Sequence, residues 1–460
     1  MKSKFKNSLV PELIPIILII IVGEISILHW KTGPIPPILI GIISSALVAY
    51  FKGENLKNIE EAMASGVKRV FPALLTVILV GLIISSWIIG GVIPTMVFWG
   101  FKIINFNNFL PIVFIVTSVV AIITGTSFTS IGTIGVSFMI IARQASISPE
   151  AVAGTIVSGA FLGDKMSPLS DTTNISAALG KVDLFEHIRY MLFDTIPAFL
   201  ISLIAFKLIN KNFISNNIDF ENINIFLNEI TTAFNLNIFL LVIPLVVVLM
   251  GIKKIPSITV LFSAVLMGVI SSFLTQNFKA VDIIRNTVLG VKQNFENPAV
   301  TRLFSKGGVG EASSTAIIII FIGCLIGIMN ECNTTQNLLK KVQNIISSAK
   351  QLSVVTFFTS LMVGFVTGAQ LLAIILPISI FLPLFNKFKL NNKNITRIVE
   401  ATGTVGITLV PWSVPGIFIA KTLEVNMVSV IPYLFFPISI MMVNLILNLG
   451  GIAVSKINDN

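Results

Sequence analysis

Four long runs without a charged side chain are the strongest constraint on how this chain can fold. They are Val70–Phe101, Ile103–Ala142, Gln351–Asn386 and Val425–Ser455, with lengths of 32, 40, 36 and 31 residues. A helix needs about 20 apolar residues to cross the hydrocarbon core of a bilayer, so each run can span a membrane at least once. The runs therefore predict an all-α polytopic membrane protein.

The composition excludes several other classes of protein. Of the 460 residues, 54% are hydrophobic and only 11% are charged, whereas soluble domains average about 25% charged residues. High apolar content excludes a disordered chain, and two cysteines exclude a disulfide scaffold. The net charge of +10 resides in short basic stretches between apolar runs, such as Lys387, Lys389 and Lys393. This pattern indicates orientation in a lipid bilayer, and we expect no nucleic-acid partner.

About twelve apolar windows follow one another along the chain, and one polar insertion divides them six and six. We therefore expect a first transmembrane repeat at 1–209, a polar linker at 210–235 and a second transmembrane repeat at 236–460. Repeated halves are frequent in secondary transporters, often with opposite orientation in the membrane. The expected architecture is two inverted repeats, each containing discontinuous helices.

Residues that match at a constant offset of 243 positions support this duplication. The matched pairs are Thr124 and Thr367, Gly125 and Gly368, Pro168 and Pro411, and Tyr190 and Tyr433. A constant register over 66 residues is difficult to explain by chance, and it places the same interruptions in both halves.

The first interruption is Thr124–Ser130, in the middle of the longest charge-free run. Five of its seven residues carry hydroxyls, among them Ser127, and Gly125 accompanies them. This pattern predicts a helix break or a re-entrant tip, as does the Thr367-Gly368 pair in the second half. Close helix packing through small residues is the alternative.

The second interruption, Gly163–Asn174, is the most informative segment. Pro168 lacks an amide proton and disfavours helical angles in the residue before it, so a continuous helix is not expected. Such backbone at membrane depth must be buried in protein or line a watery cavity. Asp164 and Asp171 are then the expected Na⁺ ligands. Hydroxyl and amide oxygens complete the predicted site: Ser127, Ser170, Thr172, Thr173 and Asn174. The alternative is a loop outside the membrane with a solvated Asp164–Lys165 pair.

The third interruption extends from Glu400 to the proline pair that begins at Pro411. Gly403 and Thr404 lie within it, and we include Glu400 and Thr404 among the predicted ion or proton ligands. Glu400 is either a buried carboxylate or an acid placed favourably near a helix N-terminus. The sequence favours neither interpretation.

Other isolated ionisable groups carry weaker predictions. We expect Asp194 to make a polar contact near the membrane interface rather than to bind a transported ion. His187, between Glu186 and Arg189, is expected to be a solvated loop residue.

The sequence contains no H-E-x-x-H, G-x-S-x-G or Walker motif, and only two histidines. We therefore predict neither an enzyme nor a cofactor, and transport of the secondary kind.

Taken together, these segments resemble the NhaC family of bacterial Na⁺/H⁺ antiporters. The resemblance rests mainly on Gly163–Asn174, on Thr124–Val136, and on Arg397, Glu400 and the Val410-Pro411-Trp412 string. It implies a multi-pass exchanger in the bacterial cytoplasmic membrane. Such a protein moves Na⁺, or Li⁺, against H⁺ by alternating access and serves pH homeostasis.

Two positions depart from the family pattern, because Ala369 and Ala401 stand where relatives carry polar or acidic groups. A related alternative is therefore Na⁺/H⁺-coupled malate–lactate exchange, with Lys165 and Arg397 as candidate anion ligands. A passive ion channel is a remoter alternative. A homodimer is an assembly that such a chain can form.

Overall fold

The structure, a computed structural model, describes most of the chain. The described residues are 10–30, 32–214, 220–253, 255–292, 301, 303–331 and 346–457. Within these ranges the chain is helical, and the isolated bridge between Leu390 and Lys456 is the one β contact. The all-α prediction is confirmed.

Twelve α-helices lie in the described part of the first 252 residues. They are α1 Val10–Glu24, α2 Ile35–Lys52, α3 Leu56–Ile89, α4 Val92–Ile103, α5 Phe109–Thr124, α6 Ser127–Ser130, α7 Val136–Gln144, α8 Pro149–Met166, α9 Asp171–Gly180, α10 Leu184–Ile214, α11 Phe220–Ala233 and α12 Val242–Ile252. A π-helical turn, Ile131–Gly135, joins α6 to α7.

Nine further helices complete the described part of the chain. They are α13 Ser257–Thr275, α14 Ala280–Leu289, α15 Gly308–Glu331, α16 Ala349–Thr367, α17 Gln370–Lys387, α18 Lys393–Val399, α19 Val414–Thr422, α20 Met427–Val430 and α21 Phe435–Gly450. Between α18 and α19 lie a π-helical segment, Glu400–Val405, and a 3₁₀ turn, Gly406–Leu409.

Eight of the described helices are long and apolar enough to cross a membrane, and up to eleven spans result if each of three bent helix pairs counts as one. The described residues therefore supply fewer membrane spans than the roughly twelve that the sequence predicts. Large apolar side chains on the outside of α10, including Phe193, Ile204 and Leu208, are more than half exposed. They suit contact with lipid tails and confirm a multi-pass membrane protein.

Helices α3 and α15 form one tightly packed group. A Cβ on Gly66 would lie 2.0 Å from the carbonyl oxygen of Gly323, and one on Gly327 would lie 1.9 Å from that of Ala62. The two backbones therefore touch directly, as small residues permit in membranes. Helix α13 joins this group where Gly268 meets Trp87.

Helices α5 and α8 form the core of a second group by the same means. Gly159 and Gly163, four positions apart on α8, face α5 so closely that a Cβ would lie 2.0 Å from the Thr117 hydroxyl or 2.3 Å from Ala121 Cβ. This G-x-x-x-G contact brings the end of α8 beside the end of α5. It thereby places Asp164 next to the residues that follow Thr124.

The chain breaks at corresponding points in both halves. Gly125 ends α5 and Gly368 ends α16, both with left-handed backbone, at φ of 73° and 66°. Gly125 packs on Leu169 in the break between α8 and α9, and Gly368 packs on Trp412 in the break before α19. Leu169 and Trp412 are themselves separated by 243 positions, the offset that the sequence predicts.

The division into 1–209, 210–235 and 236–460 stays a prediction. Of the linker, residues 215–219 lie outside the described residues. The remainder includes α11, whose Phe226 is fully buried and stacks on Phe304. This part of the linker is therefore packed against the rest of the protein.

Candidate ion-binding site

Asp164 is the centre of a buried cluster of oxygen atoms. It lies in the last turn of α8 and is only 7% exposed. Its Oδ2 accepts a hydrogen bond from Ser127 Oγ at 2.8 Å, and its Oδ1 accepts one from Ser170 Oγ at 2.6 Å. Ser127 is the first residue of α6, directly after the break at Gly125. The two helix breaks thus supply one hydroxyl each to the same carboxylate.

Hydroxyls from the start of α9 close the break around Asp164. Ser170 and Thr172 share a hydrogen bond of 2.9 Å between their oxygens. Thr173 Oγ1 donates to the main-chain oxygens of Asp164 at 3.2 Å and Lys165 at 3.1 Å. Ser170 is thus the hydroxyl of this segment that binds the Asp164 carboxylate, whereas Thr172 contacts Ser170 and Thr173 satisfies carbonyls that the break leaves without helical partners.

Asn174 and Asp171 occupy the outer side of this segment. Asn174 Nδ2 donates to the carbonyl oxygens of Pro168 and Ser170, both at 2.8 Å. This amide therefore stabilises the break itself. Asp171 lies in the first turn of α9 and is exposed. Its assignment as a Na⁺ ligand stays a prediction, and the structure gives it a more peripheral position than Asp164.

Glu400 provides a second buried carboxylate. It begins the π-helical segment Glu400–Val405 and is 0% exposed. Ser176 Oγ, on α9, donates to Glu400 Oε1 at 2.5 Å. Helix α18 continues directly into this segment, so Glu400 lies inside a helical stretch as a buried carboxylate and not near a helix N-terminus. Ser176 was missed from the sequence, although it follows Thr172 and Thr173 at helical spacing.

One carboxylate oxygen of Glu400 and the nearby hydroxyl of Thr404 have unused hydrogen-bonding capacity. Within the described part of the chain, neither Glu400 Oε2 nor the Thr404 hydroxyl makes a hydrogen bond of regular geometry, although this hydroxyl is close enough to the Glu400 carboxylate to interact with it. The main-chain oxygen of Thr404 accepts from Gln370 Nε2 at 3.2 Å. Gln370 lies in the first turn of α17 and also approaches Asp164, whose carboxylate interacts electrostatically with that of Glu400. Buried polar atoms are normally paired, so these unpaired oxygens mark a place where a ligand can bind.

The remaining break residues shape the backbone. Gly403 lies against the backbone of Ala373 on α17. Thr367 Oγ1 donates to Val363 O at 2.7 Å and accepts from the amide of Ala369 at 3.2 Å. Thr124 shares a hydrogen bond of 3.4 Å with Ser130, and Pro411 lies in the non-helical turn before α19.

The neighbouring Lys165 is engaged elsewhere. Its Nζ lies 2.9 Å from Asp194 Oδ1 and 2.9 Å from Thr195 Oγ1, and both charged side chains are 0% exposed. The alternative of a solvated Asp164–Lys165 pair is therefore wrong. Asp194 makes a polar contact, as expected, but in the protein interior. Lys165 and Asp194 are opposite charges that both lie within apolar sequence. Because such charges usually pair with one another, this pattern is the sequence signal from which their contact could have been predicted.

Arg397 is also buried, and its two terminal nitrogens are bound, whereas its Nε has no hydrogen-bond partner among the described residues. Its NH1 donates to Ala453 O at 2.8 Å, its NH2 donates to Asn448 Oδ1 at 3.4 Å, and its guanidinium lies 4.8 Å from the centre of the Tyr190 ring. The Lys165 ammonium and the terminal nitrogens of Arg397 are therefore already bound to other groups of the protein.

The expectation of a solvated His187 is wrong. The residue lies in α10, is completely buried, and shares a hydrogen bond of 3.0 Å between its Nδ1 and Thr396 Oγ1. The charged residues around it in sequence face outward, because helical geometry places neighbouring side chains on different faces.

The oxygen atoms of the site suit a small hard cation. Carboxylate, hydroxyl and carbonyl oxygens are the ligands that hard cations take in proteins. No group of three His, Cys, Asp or Glu residues lies together among the described residues. Two carboxylates with surrounding hydroxyls can instead hold a monovalent ion or protons.

Comparison with known proteins gives the family. The model of the Na⁺/H⁺ antiporter family matches residues 8–173 and 159–452. The Na⁺/H⁺ antiporter NhaC of Alkalihalophilus pseudofirmus is 32% identical over 448 residues, covering 96% of each chain. An NhaC antiporter of Bacillus subtilis is 30% identical over 91% of this chain and 92% of its own. The malate-2H⁺/Na⁺-lactate antiporter of Bacillus subtilis is 28% identical over 94% and 93%. The chain belongs to the Na⁺/H⁺ antiporter family.

Proposed function

We propose that this protein exchanges Na⁺ for H⁺ across the cell membrane, and that Asp164 and Glu400 bind the exchanged ions. The observation that carries the proposal is the buried Asp164 carboxylate, which accepts hydrogen bonds from Ser127 and Ser170 and interacts electrostatically with the buried Glu400 carboxylate. The protein is also similar, over nearly its whole length, to relatives that are named Na⁺/H⁺ antiporters.

Competition between Na⁺ and protons for one site couples the two fluxes. A buried carboxylate is stable when it is protonated or paired with a cation, because an isolated buried charge is costly. Release of a proton from Asp164 or Glu400 therefore favours binding of Na⁺, and Na⁺ release favours protonation. Since the carboxylates interact, their protons are released as a coupled pair.

The helix breaks provide the flexibility that alternating access requires. The site lies where α6, the break after α8 and the π-helical segment at Glu400 come together. Discontinuous helices at the substrate site are frequent in secondary transporters, in which one group of helices rocks against another. Two groups packed through glycine contacts, one around α3 and α15 and one around α5 and α8, are suited to such a motion.

The malate–lactate alternative is less well supported by the site. An organic anion requires a free cation or free amide groups, whereas Lys165 is paired with Asp194 and Arg397 is bound to Ala453 O. These contacts favour exchange of cations.

The test uses purified protein in liposomes with an outward Na⁺ gradient and a pH dye in the lumen. Wild-type protein should acidify the lumen, because Na⁺ leaves in exchange for entering H⁺, and Asp164→Asn should abolish this response. Asp282→Asn, at an exposed position in α14, is the matched control and should retain it. Proton movement that requires malate outside and lactate inside would contradict the proposal. Unitary currents at fixed voltage would instead indicate a channel.

A further inference from the structure

We infer that Asp194 is a positioning residue, which holds the Lys165 ammonium away from the ion site and so leaves Asp164 and Glu400 free for Na⁺. The inference rests on the proposed function and goes beyond it, because Asp194 is not one of the proposed ion ligands. It makes the affinity for Na⁺ depend on a contact outside the site.

The position of Lys165 makes such a restraint necessary. It follows Asp164 directly on α8, so one helical turn carries both a candidate cation ligand and a competing cation. Its charge also acts on Glu400. A flexible four-carbon side chain with a compact charge is able to reorient within a buried region. Without an alternative partner, it would be attracted to the carboxylates that bind Na⁺.

The restraint itself is held from two helices. Asp194 and Thr195 on α10 each lie 2.9 Å from Lys165 Nζ. The second carboxylate oxygen of Asp194 accepts from Asn444 Nδ2 on α21 at 2.7 Å. Asn448 Nδ2 in turn donates to Asn444 Oδ1 at 2.8 Å. Asp194 is therefore fixed in place and cannot follow Lys165 toward the site.

Loss of the Asp194 charge would leave a buried ammonium without a counter-ion. Such a group is costly and seeks a new carboxylate. At the effective dielectric constant of about 20 that describes protein sites, opposite charges several ångströms apart still attract each other appreciably. An ammonium at Asp164 or Glu400 would therefore weaken Na⁺ binding by about tenfold or more.

The experiment measures the KM for Na⁺ in proteoliposomes for three variants. Asp194→Asn should raise the KM about tenfold or more, and Asp194→Asn combined with Lys165→Met should return it to within about threefold of wild type. Thr195→Val keeps the side-chain shape and removes only the hydroxyl, so it should raise the KM by about twofold. A merely structural role would lower the amount of folded protein in the single and the double variant without this reversal.

Three results would overturn the inference. They are an unchanged KM in Asp194→Asn, a raised KM that persists in the double variant, and, if Asp194→Asn does not fold, an unchanged KM in Thr195→Val. Wild-type protein that neither exchanges Na⁺ nor is stabilised by Na⁺ against thermal unfolding would overturn the proposed function together with the inference. Normal wild-type exchange with unaltered variants would overturn the inference alone.

Discussion

Gly163 connects the packing of two helices to the geometry of the ion site, and Gly163→Ala tests that connection. The new Cβ would lie 2.3 Å from Ala121 Cβ and 2.5 Å from the backbone nitrogen of Ile122. Carbon atoms in contact are about 3.5–4.0 Å apart, so α8 must move away from α5 by about 1 Å. Neither close atom belongs to a flexible side chain that can turn aside.

The displacement affects the neighbouring carboxylate directly. Asp164 Oδ2 is 2.8 Å from Ser127 Oγ, and Ser127 follows α5 through the fixed turn at Gly125. A separation larger by about 1 Å breaks this hydrogen bond, and bonds to charged groups contribute about 1.5–3 kcal/mol. Overpacking adds about 1–3 kcal/mol of destabilisation. We therefore expect a lower unfolding temperature and a KM for Na⁺ about tenfold higher.

Thermal unfolding in detergent and Na⁺-driven proton movement in liposomes measure the two effects. Gly310→Ala is the matched control, because a Cβ there would meet only Leu289 O, at 3.9 Å. It should leave the KM unchanged and the unfolding temperature close to that of wild type. If Gly163→Ala behaves like Gly310→Ala in both assays, the proposed link between helix packing and the ion site is wrong.

Two further predictions concern individual acids. Glu400→Gln should lower Na⁺-driven proton movement at least about tenfold, because the Glu400 carboxylate is fully buried. Asp171→Asn should change this rate by a few-fold at most, because Asp171 is exposed. Equal losses of the two variants in the liposome assay would contradict this ranking. Burial lowers the pKa of Lys306, which lies outside the spans, and its partner Glu424, at 2.9 Å and 34% exposed, opposes the shift. Glu424→Gln should therefore destabilise the protein by about 1–2 kcal/mol at pH 7. The loss should shrink toward pH 10 as the pH rises through the folded-state pKa of Lys306 and the ammonium becomes neutral. A loss of equal size at both pH values in thermal unfolding would refute this account.

Local chemistry explains why the helix breaks were predictable. Gly125 and Gly368 adopt left-handed backbone that other residues rarely adopt, and Pro168 and Pro411 lack the amide that a helix requires. These constraints act within a few residues, so sequence alone locates them. The positions of the Ser127 and Ser170 hydroxyls were predictable for the same reason, because both residues lie at the breaks, where side-chain oxygens are available to a ligand.

Partners that are distant in sequence were not predictable in the same way. Asp194 is the partner of Lys165, and Ser176 donates to Glu400, because separate helices cross at these points. His187 is buried for the same reason, against Thr396. Helical periodicity gives the face on which a residue lies, but not the helix that covers that face.

The sequence by itself determined that this is a polytopic helical membrane protein with interrupted helices, since long charge-free runs can only be buried in lipid or in protein. It also singled out Asp164, Asp171 and Glu400 among the few charges that lie in apolar surroundings. Tertiary structure alone decided that Asp164 and Glu400 lie in one electrostatic environment, that Asp171 is exposed, and that Lys165 is paired with Asp194. The physical reason is that a buried charge takes its properties from its neighbours in space, and glycine contacts between crossing helices determine those neighbours.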